Sequence, residues 1–227
     1  MRQLYPVALD PVDPFGVYAD LPRASGRPAV RVNMIASVDG AATVGGLSGG
    51  LGGPADHALF AVLRELADVV LVAAGTVRAE GYGPSTVPVA VVSRSLRLDF
   101  AAPFFTAATA RPLVVTVAEA PPPARARAAE VADVLIAGER DVDLLRALEL
   151  LGGRGFGAVL AEGGPSLNGQ LATAGLVDEL CLTVSPMLVG GDARRIASGQ
   201  APAVPRGLEL CSVCEDDSFL FLRLRPA

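Results

Sequence analysis

Residues 158–170 read AVLAEGGPSLNGQ, and the pattern that runs through the whole chain is clearest here. Residues 158–161 form a short apolar run, typical of a strand that is buried on both faces. Pro165 favours the first position of a helix, because its missing N–H would have no partner there. The acid and the two glycines between strand and helix let a ligand approach the backbone N–H groups at the helix start. The stretch therefore predicts a phosphate-binding turn, with a plain tight turn as the alternative.

Apolar, strand-like runs alternate with helical segments along most of the chain. The predicted strands cover residues 29–35, 68–74, 88–92, 113–117, 134–137 and 158–161. The predicted helices cover residues 54–67, 75–81, a segment after 121–123, residues 141–151 and a segment from 165. This alternation predicts an α/β fold with a mostly parallel central sheet and helices on both faces.

The C-terminal part has a different pattern. Residues 179–188 and 208–224 are strand-rich, and no helix signal separates them. Residues 216–218 (Asp-Asp-Ser) supply a turn between two alternating runs. This pattern predicts a C-terminal antiparallel hairpin on the edge of the sheet.

The N-terminal part contains two stretches without regular periodicity. Residues 1–28 hold several prolines, and we interpret them as an N-terminal leader segment on the surface, followed by a single domain over residues 29–227. Residues 45–53 are too rich in glycine to be regular. We interpret them as an active-site loop, because too little chain precedes them for a linker between domains.

A helix is predicted to begin at Pro54, directly after the glycine-rich run. Ala58, Val62 and Leu66 have the spacing of one helix face, which indicates the packed side. His57 lies in the first turn, and we interpret it as a partly exposed helix residue. A single histidine without a partner acid or nucleophile supports no catalytic triad.

The charge of the chain excludes several classes of mechanism. The 227 residues carry a net charge of −5, and all 19 basic residues are arginine. A Schiff-base lysine, a Walker lysine and a lysine general base are therefore excluded. An acidic chain with scattered arginines also argues against nucleic acid as a partner.

No apolar run approaches the roughly 18 residues that cross a bilayer, so no membrane partner is expected.

The cysteines indicate the cellular compartment of the protein and argue against a metal-binding site. The chain has three cysteines and no recognisable secretory signal, which favours free thiols in a reducing cytoplasm. Cys211 and Cys214 imitate a redox or zinc motif, but residues three apart in a strand face opposite sides of the sheet. With one histidine and no second cysteine pair, the sequence predicts no metal site.

Polar clusters follow four of the predicted strands. They are Ser37/Asp39, Gly75/Thr76 with Glu80, Ser93/Arg94, and Glu162/Gly163/Gly164. Ligands of doubly wound sheets bind beyond the carboxyl ends of the strands, so the shared position of these clusters indicates one binding edge. An arginine placed like Arg94 favours the 2′-phosphate of NADP over NAD.

Four motifs in this chain resemble one enzyme family. They are VNMIASVDG at 32–40, AGTVRAE at 74–80, AEGGPSLNG at 161–169 and LVDELCLTVSPMLVGG at 176–191. Over most of residues 29–225, and with the motifs in the family's order, the chain is similar to the reductase domain of bacterial riboflavin biosynthesis. The resemblance implies a dihydrofolate-reductase-like fold.

The resemblance also implies an activity. Members of the family reduce 5-amino-6-(5-phosphoribosylamino)uracil, or its diaminopyrimidinone analogue, to the ribitylamino product with NADPH, and they usually form homodimers. The implied NADPH contacts are Gly75, Thr76, Ser93, Arg94, Thr116, Gly163 and Gly164. The implied substrate contacts are Asn33, Ser37 and Glu162, and the implied catalytic carboxylates are Asp39 and Glu80.

Two positions differ from the family pattern. Asn33 stands where the family usually has lysine, and residues 81–88 (GYGPSTVP) lack the arginine that normally helps to hold the substrate phosphate. A same-fold NADPH reductase of a pterin or dihydrofolate-like substrate is therefore an open alternative, as is a non-catalytic nucleotide-binding protein. Residues 1–28 are too few for the zinc-dependent deaminase that precedes this domain in bifunctional relatives, so a reductase alone is expected.

Overall fold

The structure is a computed structural model that describes residues 1–202 and 204–227. Within these residues the strands are β1 (Arg2–Tyr5), β2 (Ala29–Ser37), β3 (Val69–Ala73), β4 (Val89–Val92), β5 (Leu113–Thr116), β6 (Asp133–Ile136), β7 (Ala158–Ala161), β8 (Glu179–Ser185), β9 (Leu208–Asp216) and β10 (Phe219–Pro226). The helices are α1 (Pro14–Tyr18), α2 (Pro54–Glu65), α3 (Ala74–Glu80), α4 (Pro103–Thr106), α5 (Pro122–Val131), α6 (Leu144–Gly152) and α7 (Pro165–Thr173).

The strands form a single sheet in the order β1-β9-β10-β8-β2-β7-β3-β4-β5-β6. All strands from β8 to β6 in this order are parallel, whereas β10, β9 and β1 pair antiparallel. This confirms the predicted mostly parallel sheet. Strand β7 lies between β2 and β3, so the segments that follow these three strands meet at one edge of the sheet.

Helices cover both faces of the parallel strands, as predicted. Residues 69–72 of β3 are fully buried because alternate side chains enter two separate cores. Val70 and Val72 pack with Leu63 of α2 on one face, and Leu71 packs with Leu148 of α6 on the other. Burial on both faces explains why these strands read as continuous apolar runs rather than as alternating ones.

Two helices differ from the sequence prediction. Helix α6 begins at Leu144 rather than near residue 141, because the Asp143 side chain accepts a hydrogen bond of 2.9 Å from the Arg146 backbone N–H and caps the helix there. The short helix α4 was not predicted. It buries Phe104 and Phe105, whose rings meet edge to face with 4.7 Å between their centroids.

The predicted C-terminal hairpin is present. Strands β9 and β10 pair antiparallel, and the turn residues Asp217 and Ser218 have φ values of 50° and 67°. Positive φ at both central residues is the geometry of a tight two-residue hairpin turn. The hairpin is not at the extreme edge of the sheet, however, because β1 pairs with the outer side of β9.

Residues 1–28 do not simply lie on the surface, as the sequence suggested. They contribute β1 to the sheet and α1 to the core, where Tyr18 is fully buried. Arg31 donates to the Tyr18 carbonyl at 2.6 Å and Arg223 donates to the Val17 carbonyl at 2.6 Å. Both guanidinium groups also bond to the buried carboxylate of Glu179. The segment is therefore fastened by residues that are far away in the sequence.

No helix in the described part of the chain combines the length and the apolar character that a membrane span requires.

Candidate active site

A cavity of about 360 Å³ opens at the carboxyl ends of β2, β3 and β7. Helix α2 and the glycine-rich loop at 45–53 form its walls. Among the side chains that line it are those of Asn33, Asp56, Arg64, Glu80, Tyr82 and Glu162. The cavity lies at the edge where the sequence predicted ligand binding, in the position that doubly wound sheets favour.

Glu162 holds a hydrogen-bonded cluster in the wall of this cavity. Its Oε1 accepts from Arg64 Nε at 2.6 Å, and its Oε2 accepts from Arg64 Nη2 at 2.7 Å and from the Tyr82 hydroxyl at 2.6 Å. The Glu162 side chain is 2% exposed and that of Arg64 is 29% exposed. Protein donors thus hold both oxygens of Glu162, while the guanidinium of Arg64 also faces the cavity.

The electrostatics of this cluster keep Tyr82 protonated and Arg64 charged. Burial and the adjacent Glu162 carboxylate raise the pKa of Tyr82, so its hydroxyl remains a donor. Burial alone would lower the pKa of Arg64, but the hydrogen bonds and charge of Glu162 outweigh it and raise that pKa. Arg64 also lies over the Phe60 ring at 4.6 Å, which fixes its plane.

Asp56 is a second carboxyl group in the cavity, and it is held differently. Burial raises the pKa of Asp56, whereas a hydrogen bond with the Thr183 side chain and the charge of His57 partly offset that effect. Asp56 makes no salt bridge with any residue that the structure describes. It is therefore a partly buried carboxyl group without a cationic partner of its own.

Asp56 and Arg64 were not among the predicted site residues, because the predicted core face of α2 was wrong. Leu59 and Leu63 are the buried residues, whereas Ala58 is exposed. With the core face placed correctly, Asp56, Phe60 and Arg64 share another face at a spacing of four residues. A charged residue at each end of such a row is the signal that would have identified them.

Glu80 ties the glycine-rich loop to the cavity. Its Oε1 accepts a hydrogen bond of 2.9 Å from the Ser48 backbone N–H. Ser48, Gly49 and Gly52 of the loop line the cavity, and Glu80 lies at the C-terminus of α3. The loop predicted at the active site thus covers the cavity, and Glu80 faces it.

The glycine pair that follows β7 lies against α3. Gly163 has a φ of 91°, a conformation that favours glycine. A Cβ at Gly164 would lie 2.7 Å from Thr76 Oγ1, so a side chain there would collide with Thr76. Gly164 is also the N-cap of α7. The structure therefore brings together Thr76 and Gly164, two of the predicted cofactor contacts, beside a helix N-terminus.

The other predicted cofactor contacts lie further along the same sheet edge, outside the cavity lining. Ser93 is buried at the end of β4, and its N–H donates to the Val115 carbonyl of β5 at 2.9 Å. Thr116, at the end of β5, is fully buried, and its Oγ1 has no hydrogen-bond partner among the described residues. Arg94 is exposed and bonds to Asp141 at 2.7 Å. Gly75 is exposed at the start of α3.

Ser37 and Asp39 form a cluster that does not line the cavity. The Ser37 hydroxyl donates to Asp39 Oδ1 at 2.5 Å, and the Gly190 N–H donates to Asp39 Oδ2 at 2.6 Å. These bonds, first that of Ser37 and then those of the 189–190 backbone, lower the pKa of Asp39 to about 2. The structure therefore places Asp39 as an anchor for the loop after β8 and does not bring it to the other carboxylates.

Comparison with known protein families agrees with the fold. The sequence model of the RibD C-terminal domain matches residues 28–220. The chain belongs to the RibD C-terminal domain family. One relative, the 2,5-diamino-6-ribosylamino-4(3H)-pyrimidinone 5′-phosphate reductase of Methanothermobacter thermautotrophicus, is 35% identical over 186 residues, which cover 77% of this chain and 85% of the relative. The enzyme of the same name from Archaeoglobus fulgidus is 29% identical over 195 residues, covering 77% and 88%.

Solved structures of other proteins share the architecture. A pyrimidine reductase-like protein from Corynebacterium diphtheriae superposes with a TM-score of 0.81 at 27% identity, covering 95% of this chain and 99% of that chain. Dihydrofolate reductase from Enterococcus faecalis superposes with a TM-score of 0.56 at 12% identity, covering 90% and 99%, which shows the fold alone. The predicted dihydrofolate-reductase-like fold is confirmed.

Proposed function

We propose that this chain reduces a ribosylaminopyrimidine 5′-phosphate, either the diaminopyrimidinone or the corresponding uracil, to its ribitylamino product with NADPH. Membership of the RibD C-terminal domain family and the reductase activity after which the two relatives are named support this proposal. The observation that carries it is the cavity at the carboxyl ends of β2, β3 and β7, where cavity carboxyl groups lie beside the Thr76–Gly164 contact.

The reaction requires the ribose ring to open, so that C1 becomes an imine carbon. NADPH, when bound, supplies the hydride that adds to C1, and one proton adds to the adjacent nitrogen. The residues of this chain orient the sugar and manage that proton. Glu80 faces the cavity and is the group that we assign to the sugar hydroxyls or the proton. Asn33 is also in the lining and offers an amide to the substrate.

The residues present fit a dinucleotide with a 2′-phosphate. The N–H groups at the start of α7, beside Gly164 and Thr76, can bind a pyrophosphate. The Thr116 hydroxyl, at the end of the neighbouring strand β5, is fully buried and has no hydrogen-bond partner among the described residues, so it is a spare donor behind this site rather than an exposed one. Arg94 is exposed and can exchange Asp141 for a 2′-phosphate. We therefore assign Ser93, Arg94 and Thr116 to the adenosine end of the cofactor.

Asp39 and Glu162 receive positioning roles in this proposal. Asp39 anchors the loop after β8 through Gly190, and Glu162 orients Arg64. Arg64 is the arginine whose guanidinium lines the cavity, and we assign it to an anionic or carbonyl group of the substrate. It replaces in function the lysine and the downstream arginine that the family pattern would supply.

We also propose a homodimer built on the uncovered face of the antiparallel strands. Leu208, Leu210 and Leu220 project from one face of β9 and β10 and are 44%, 41% and 37% exposed. A second copy that packs on this face would remove them from water. A dimeric mass in light scattering that becomes monomeric in a Leu210→Arg/Leu220→Arg variant is the expected result. A wild-type monomer at micromolar concentration would exclude the dimer.

The three free thiols favour a reducing cytoplasmic environment.

The function itself is tested by the oxidation of NADPH, which is followed by the absorbance of NADPH with the ribosylaminopyrimidine phosphate and with dihydrofolate in parallel. We expect turnover of the pyrimidine. Turnover of dihydrofolate alone would replace the proposed substrate with a pterin, and failure to bind NADPH or NADH would exclude a reductase.

A further inference from the structure

A second cavity, of about 390 Å³, lies beside α7 and is separate from the candidate active site. Residues of α7, of strands β2 and β8, and of the connection between β8 and β9 line it. Met34 is the one described residue that lines both cavities. The apolar part of the lining includes Val32, Met34, Ala172, Val177, Leu180 and Ile196. Cavities that hold small organic ligands have volumes of about 300–1,000 Å³, so this one has room for such a ligand.

The wall of this second cavity is built into the fold. The connection between β8 and β9 is fastened to α7 by hydrogen bonds. The Asn168 side chain donates to the Ile196 carbonyl at 2.8 Å, and it is only 3% exposed. The Thr173 hydroxyl donates to the Gln200 carbonyl at 2.9 Å. The cavity is therefore a fixed feature rather than a gap between loose segments.

Two arginines give this cavity a positive charge. Arg195 and Arg206 line it, and neither forms a salt bridge with a described residue. The guanidinium of Arg206 lies over Gly175, just after α7, where a Cβ would be 3.1 Å from the Arg206 Cζ. Gly175 has a φ of 71°, so the glycine that this turn favours also leaves room for the guanidinium. The described lining contains no aspartate or glutamate, so both cations are available to a ligand.

An apolar floor beside two guanidinium groups determines the chemistry of the ligand. Guanidinium groups bind carboxylate, sulfonate and phosphate oxygens through paired N–H donors. The apolar floor is stabilised when an apolar body covers it and removes it from water. An inorganic anion would leave the floor uncovered, and a neutral apolar molecule would leave both arginines without a partner. A ligand that satisfies both parts of the cavity has an apolar body and one anionic group.

We propose that this cavity binds a small amphiphilic anion, with its apolar body against α7 and β8 and its carboxylate, sulfonate or phosphate group at Arg195 and Arg206. The site is distinct from the reductase cavity, and the proposal does not depend on the proposed function. Leu208 lines the cavity and also belongs to the face that we propose for the homodimer. A second copy would therefore lie beside the bound ligand.

A pair of fluorescent probes tests the role of the charge. 8-Anilino-1-naphthalenesulfonate combines aromatic rings with one sulfonate, and N-phenyl-1-naphthylamine has the same rings without the sulfonate. In a fluorescence titration, Arg195→Ala/Arg206→Ala should bind the sulfonate probe about 10-fold or more weaker than the wild type does and change the affinity for the neutral probe less than about twofold. Arg127→Ala, an exposed arginine of α5, is the control and should leave both affinities unchanged.

Ala172→Phe tests the place of binding, because it fills the cavity and removes no charge. It should weaken the binding of both probes about 10-fold or more. The candidate active site and the uncovered face of β9 and β10 are unchanged in this variant, so a probe bound at either place would bind as it does to the wild type. Ala126→Phe, which adds the same ring at an exposed position of α5, is the matched control.

Each result decides for or against the second site. Weaker binding in both variants, with the sulfonate probe alone affected by the arginine variant, would support it. Unchanged affinity in either variant, folded by its thermal unfolding profile, would overturn it. Equal losses of both probes in the arginine variant would also overturn it, because the arginines would then act through packing rather than charge. Finally, a wild type that binds neither probe refutes the proposal. If Leu210→Arg/Leu220→Arg then binds them, a second copy fills the cavity instead.

Discussion

Replacing Glu162 with glutamine should destabilise the protein, although the two side chains have nearly the same shape, because the change removes the charge and turns one acceptor oxygen into an NH2 donor. In the wild type, Glu162 accepts two hydrogen bonds from Arg64 and one from Tyr82, all between 2.6 and 2.7 Å. Hydrogen bonds to charged groups contribute about 1 kcal/mol more than neutral ones, so three of them give a loss of about 3 kcal/mol. Because the Arg64 side chain is 29% exposed, water recovers part of this loss, and we expect about 2–3 kcal/mol.

Chemical denaturation by urea, followed by circular dichroism, measures this loss as a change in the free energy of unfolding. For a chain of this size, 2–3 kcal/mol corresponds to a fall in Tm of roughly 4–12 °C. Glu149→Gln is the matched control, since its 3.1 Å pair with Arg146 is on the surface and should contribute less than about 0.5 kcal/mol. If the free energy of unfolding of Glu162→Gln is within about 0.5 kcal/mol of that of the wild type, the proposed role of this cluster is refuted.

Two further variants test the other parts of the sheet edge. The folded-state pKa of Asp39, about 2, is below its unfolded value, so the ionised carboxylate stabilises the fold above pH 4 and that contribution disappears as the pH falls toward 2. Asp39→Asn should therefore lower the Tm at pH 7 and have little effect on it near pH 2. A difference in Tm between the variant and the wild type that does not change with pH would contradict the stabilising role of the Asp39 carboxylate. Arg94→Ala should weaken NADPH binding by about 10-fold or more in a fluorescence titration and change NADH binding less than about twofold, because only NADPH has the 2′-phosphate. Arg140→Ala, an exposed arginine paired with Glu119, serves as its control, and equal losses for both cofactors would remove Arg94 from the phosphate site.

The features that the sequence predicted well are those encoded locally. Apolar runs buried on both faces identified the parallel strands, and the turn residues Asp217 and Ser218 identified the hairpin. The proline after the glycine pair identified the start of a helix at residue 165, which the structure shows as α7. Each of these signals lies within a few residues of the feature that it predicts.

The features that the sequence missed depend on contacts between distant segments. Tyr18 is buried because Arg31 and Arg223 meet over it, and nothing in residues 1–28 indicates those partners. Arg64 reaches Glu162 across 98 positions of sequence, because β7 inserts between β2 and β3. The alternation of strands and helices does not determine the order of the strands in the sheet. The local pattern therefore placed the carboxylates at one edge of the sheet, but it did not show which of them share a cavity.

We propose that hydride reaches C1 of the ribosyl group in this cavity. Reaction of the diaminopyrimidinone phosphate with NADPH deuterated at nicotinamide C4, followed by mass spectrometry and proton NMR of the product, tests it most directly. We predict a ribitylamino product with one deuterium at C1 of the ribityl chain and an equal amount of NADP⁺. A product that carries deuterium in the pyrimidine ring, or NADPH that remains unoxidised while the substrate is recovered unchanged, would contradict the claim.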